Sequence, residues 1–138
     1  MRTRWRVSCA ALILSVPACA GKSAADRIAE HERVRVSWEE TAHFVGAEWG
    51  DRAIPDAYAM RTLARASTEL RSESTALEKD AIPEATRARL HASLNVALAR
   101  MDTLERAVRA GDRGAVARVA KHAPRANADS LLREAALR

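Results

Sequence analysis

The chain reads as all-α: an antiparallel up-down-up-down four-helix bundle behind an N-terminal signal peptide. Three observations predict this. Punctuation is sparse and cuts the chain into four long pieces, at Gly50 to Pro55, Asp80 to Pro83 and Gly111 to Gly114. Apolar residues recur at alternating spacings of three and four, the period of a helix that buries one stripe. The connections are so short that consecutive helices must run antiparallel. The expected organisation is a signal peptide over 1–18, an anchor or linker over 19–24, and a bundle over 25–138. Its helices are expected at about 25–50, 55–80, 83–110 and 113–137.

The leader has the parts of an export signal. Arg2, Arg4 and Arg6 form a basic start, Val7 to Val16 are mostly apolar, and small residues follow. About ten apolar residues fall short of the roughly 20 needed to span a bilayer. The two cysteines are Cys9, inside the leader, and Cys19, at its end, so no disulfide staples the body of the domain. About 120 remaining residues are enough for one ordinary core. Losing Arg2, Arg4 and Arg6 takes the 23 basic residues to 20 against 18 acids, a net charge of about +2 rather than +5. That balance on helical surfaces is no nucleic-acid footprint.

Val16-Pro17-Ala18-Cys19 resembles the lipobox of bacterial lipoproteins, in which a cysteine preceded by a small residue becomes the lipidated first residue. The resemblance implies a lipid anchor at Cys19 and, with Ala20 rather than Asp after it, an outer-membrane address facing the periplasm. Ala18-Cys19-Ala20 also fits ordinary signal cleavage, which would release a soluble periplasmic protein after Ala20.

Helix one carries Ile28, His31, Val34 or Arg35, Trp38, Ala42, Val45 and Trp49 on one stripe. Helix two is thinner, with Met60, Leu63, Ser67, Leu70, Ser74 and Leu77. Ile54-Pro55-Asp56-Ala57 and Ile82-Pro83-Glu84-Ala85 repeat the same start signal, with proline at the first helical position and an acid behind it. Helix three is the most regular, with Leu90, Leu94, Ala97, Met101, Leu104 and Val108. The fourth piece uses Val116, Val119, Ala120, Ala123 and Leu131, and Pro124 should kink or split it.

Leu94 to Leu137, with a heptad helix, the turn Gly111-Asp112-Arg113-Gly114 and an Ala-rich end containing Asn127-Ala128, resembles the second hairpin of the periplasmic cytochrome b562 family. The resemblance implies the bundle shape. That family holds haem with a histidine near the end of the last helix and a methionine near the start of the first. Here Asp129 is followed by Ser130 and helix one has no methionine. Cys-x-x-Cys-His is absent as well, so no cofactor is expected.

Four histidines remain as possible chemistry. Counting 1.5 Å per residue along antiparallel helices, His43 and His122 come out level on adjacent helices, and Glu39 lies one turn before His43. These three would form a two-nitrogen, one-oxygen site of a kind that zinc or copper accepts; the alternative is solvated histidines. His31 and His91 also come out level, and His31 alternatively is an interior histidine satisfied by one hydrogen bond. Trp38, Trp49, Phe44 and Tyr58 gather around the first turn, and Trp38, Trp49 and Tyr58 form a candidate ligand pocket; as core residues, Trp38 and Trp49 would simply fill an alanine-rich bundle. No nucleophile elbow, metal-protease motif or phosphate loop occurs, so no catalytic residue is expected. The expectation is a non-enzymatic envelope lipoprotein whose bundle contacts a protein partner, as adaptor or sensor. The alternative is a periplasmic carrier or sensor of a metal, haem or small ligand. Self-association into a homodimer would complete a core left open by the thin second helix.

Overall fold

The computed structural model describes residues 22–121. The leader, Cys19, His122, Pro124 and the expected continuation of helix four to residue 137 lie outside the described residues. Within them the chain forms α1 (Ala24–Gly50), α2 (Asp56–Lys79), α3 (Glu84–Arg109) and α4 (Arg113–Lys121), with no strand among the described residues.

α1 opens on a capping box. The Ser23 hydroxyl accepts from the Asp26 N–H at 3.1 Å, and the Asp26 carboxylate accepts from the Ser23 N–H at 3.0 Å. The same hydroxyl donates to Asp26 Oδ2 at 2.7 Å, so two backbone donors at the helix start are satisfied. These bonds, the side-chain one foremost, hold the Asp26 carboxyl below the usual carboxylate range. A lowered pKa in the folded state means that the cap contributes fully above the ordinary aspartate value of 3.8 and less as acid protonates Asp26. Ser23→Ala is therefore expected to return the Asp26 titration toward its ordinary value, read from carboxyl chemical shifts against pH. An unmoved titration would show that the cap does not act on Asp26.

α2 and α3 begin one residue later than the sequence pattern suggests. Pro55 and Pro83 are N-caps with extended ψ of 155° and 138°, and Asp56 and Glu84 take the first helical positions. Proline fixes φ and supplies no donor, and both properties suit the residue just outside a helix as well as the one just inside. The acids behind them still face the positive end of the helix dipole.

α1 and α3 end in the same Schellman motif. Arg52 N–H donates to the Trp49 carbonyl and Ala53 N–H to the Glu48 carbonyl, just as Gly111 donates to Val108 and Asp112 to Ala107. The left-handed residue is Gly111 (φ 69°) in one and Arg52 (φ 64°) in the other. Gly50 is the last residue of α1, where the expected helix ends. A left-handed non-glycine residue costs about 1–2 kcal/mol, partly offset by the greater freedom of an unfolded glycine. Arg52→Gly is expected to raise stability by roughly 0.5–1 kcal/mol, measured by urea unfolding; a loss would mean that the Arg52 side chain stabilises the turn.

Side-chain pairs fix the helix directions. Trp49 with Asp56 and His31 with Glu73 make α1 and α2 antiparallel; Ser67 with Glu105 and Ser74 with His91 do the same for α2 and α3. Arg113 over Trp49 brings α4 back along α1. Each of α2 and α4 packs against both α1 and α3, so they flank the α1–α3 pair. Gly46 opens α1 to α4: a Cβ there would stand 3.4 Å from Val116 Cγ1.

The core runs through all four helices. α3 contributes the whole expected stripe, Leu90 to Val108. α2 proves the most deeply enclosed, because Ala59, Leu63, Ala66, Leu70 and Leu77 have no exposed surface. Its small residues let α1 and α3 approach closely, which an inventory of large apolar residues undervalues. The thin second helix, the reason for expecting a homodimer, is thus covered within one chain. No helix among the described residues is long and apolar enough to cross a membrane.

Candidate functional site

Three polar constructions stand out. The first is at the end where α1 begins and α2 stops. His31 is 6% exposed, and both ring nitrogens face carboxylates: Nδ1 lies 2.5 Å from Glu73 Oε1 and Nε2 lies 2.9 Å from Asp80 Oδ2. An ionised carboxylate only accepts, so each contact needs a proton on the imidazole side. Beside it is a cleft of about 380 Å³ lined by Lys22, Arg27, Glu30, His31 and Asp80. His91 sits next door, its Nδ1 3.2 Å from Ser74 Oγ. His31 and His91 therefore meet α2 at consecutive residues, at the level that helix counting suggests.

The second construction runs along the middle of α1. Arg35 pairs with Glu32 and Glu39 at 2.7 Å each, and Arg100 of α3 reaches the other oxygen of Glu39 at 3.5 Å. Glu32, Arg35 and Glu39 are each less than a fifth exposed. The apolar stripe expected along α1 is interrupted here by ions that satisfy one another. Both oxygens of Glu39, a candidate metal ligand, are thereby committed to arginines. His43 is exposed, and its suggested companion His122 lies outside the described residues. Among the described residues no group of three His, Cys, Asp or Glu side chains is placed to hold a metal ion.

The third is built on Trp49, 1% exposed at the opposite end of the bundle. Its indole N–H donates to Asp56 Oδ1 at 2.7 Å, and the Arg113 guanidinium lies 4.6 Å from its ring centroid. One residue thus ties α1, the start of α2 and the start of α4 together. The candidate pocket residues stand at three depths: Trp49 is enclosed, Trp38 is partly buried with Arg65 5.8 Å from its ring centroid, and Tyr58 is 53% exposed. Phe44 is 61% exposed. The register set by Trp49–Asp56 and Trp38–Arg65 puts Phe44 at the height of Met60, and so within about one turn of the height of Tyr58.

Glu73 and Asp80 are the site residues that the sequence pattern does not single out. The available signal was register: running back from the Gly50–Pro55 turn, position 31 falls level with 74, within one residue of Glu73. No protein family matches the chain, and neither a curated protein nor a solved structure shows significant similarity to it.

Proposed function

We propose that the chain is an exported, non-enzymatic helical bundle, held in the bacterial envelope by a lipid on Cys19, that docks a protein partner through its exposed aromatic residues, Phe44 of α1 and Tyr58 of α2. The observation that supports this reading is the pair Phe44 and Tyr58. Both are more than half exposed, in a domain that encloses its other mature aromatic residues wholly or in part. Aromatic side chains at a surface supply large contact area at low entropic cost and are enriched where partners bind. Lys22 follows Cys19 by three residues, so the His31 end of the bundle would face the membrane. Phe44 and Tyr58 would face the periplasm, within reach of a protein partner. Carriage of metal or haem is the weaker reading, because Glu39 is already neutralised by Arg35 and Arg100.

The test is site-specific photocrosslinking of the full chain in its host envelope, with the crosslinker at position 44 or 58 and at Arg89 as control. A discrete product from 44 and 58, absent from 89 and lost when the other aromatic is changed to serine, is expected. Each serine variant should unfold within about 0.5 kcal/mol of the parent. Equal labelling at all three positions would overturn the docking face. Stoichiometric metal in the purified protein, lost in His43→Ala, would overturn the adaptor reading in favour of a carrier. Cleavage after Ala20, with no lipid on the N-terminal peptide, would remove the anchor alone.

A further inference from the structure

We propose that His31 is a proton-operated latch: as imidazolium it clamps the start of α1 to both α2 and the α2–α3 turn, and as neutral imidazole it keeps Glu73 and releases Asp80. The argument is one of hydrogen-bond stoichiometry. Two carboxylate oxygens, on Glu73 and Asp80, face the two ring nitrogens at 2.5 and 2.9 Å. A neutral imidazole has one N–H and one lone pair, so it satisfies one carboxylate and turns a lone pair toward the other. At 6% exposure, water has little room to repair that mismatch.

The two carboxylates are not equivalent, and this sets the direction of release. Glu73 is 15% exposed and held on the body of α2, whereas Asp80 is 37% exposed and sits at the helix end. Asp80 can turn to solvent; Glu73 cannot do so without being stranded. The single proton of a neutral ring therefore stays on Nδ1, and Asp80 leaves.

Charged groups from every neighbouring element bear on the latch. From α1 and its approach, Lys22, Arg27 and Glu30 line the adjoining cleft, with Lys22 and Glu30 3.9 Å apart. From α2 come Glu73 and, at its C-cap, Asp80. From α3, Arg87 donates to the Asp80 and Ile82 carbonyls and pairs with Glu84 at 2.6 Å, while His91 contacts Ser74 beside Glu73. Arg87 holds the turn by its backbone, so release of the Asp80 side chain opens the cleft wall without unravelling α3.

The test is hydrogen exchange on the full chain, corrected for intrinsic rates, across the pH range in which the His31 ring nitrogen shifts report loss of its proton. Protection of the Ile82 amide, which donates to the Asp80 carbonyl, and of the first turns of α1 is expected to fall about tenfold as His31 deprotonates. Protection around Trp49 should not change. In His31→Gln the step should vanish. Asp80→Asn should remove the step at Ile82 while the ring still titrates. A His31 ring that loses its proton with no change at Ile82 would overturn the latch, as would an equal step persisting in Asp80→Asn.

Discussion

Trp49→Ala is expected to cost about 3–5 kcal/mol, the range for removing a buried aromatic side chain. The residue is 1% exposed, and its ring is the surface on which Arg113 rests. Truncation would empty the junction between α1, α2 and α4, and Asp56 would lose its indole donor. A domain of this size has some 5–15 kcal/mol in total, so the variant should lose a large fraction of its stability. Trp49→Phe separates the contributions. It keeps most of the packing and loses the N–H, and because Asp56 is exposed its carboxylate can turn to water, so about 1 kcal/mol is expected. Urea titration followed by circular dichroism measures both. A loss below 1 kcal/mol in the alanine variant would mean that this end of the bundle contributes little to its cooperativity.

The second large effect is expected in α2. Leu70 has no exposed surface and lies amid Leu63, Ala66 and Leu77 on a face enclosed by α1 and α3, so Leu70→Ala should cost about 2–5 kcal/mol. Ala66→Leu, beside it, should also destabilise, by roughly 1–3 kcal/mol, although leucine is a good helix former, because there is no space for the added methylenes. Opposite changes in size with the same sign of effect distinguish a closely packed helix from one awaiting a partner. If Ala66→Leu were neutral or stabilising, α2 would have room on its inner face, and completion of the core by a second copy would return as an explanation.

The charged stripe of α1 shows why periodicity alone misjudges burial. Glu32 and Glu39 lie beside the apolar stripe rather than on it, yet together with Arg35 they are largely enclosed, because Arg35 and Arg100 neutralise the acids. Helix counting chose Glu39 as a metal ligand because it considered only heights. It could not anticipate an arginine arriving from α3, 61 residues away. His31, the one buried histidine among the described residues, is interior, as one of the two alternatives has it, but it has two carboxylate partners rather than one hydrogen bond.

By itself the sequence determined the all-α class and, to within a residue, where the breaks between the first four helices fall. Pro55, Pro83 and Gly111 act through their own φ angles, and the three-four spacing of Leu90 to Val108 acts within one helix, so these signals are complete in a few consecutive residues. Tertiary structure alone decided which polar side chains meet: His31 with Glu73 and Asp80, Glu39 with Arg100, and Trp49 with Arg113. It also placed α2 deepest in the core and Arg52 in the left-handed turn. Those outcomes depend on the register and closeness of helices joined by short turns but paired along their whole length, where a shift of one residue exchanges a buried partner for solvent.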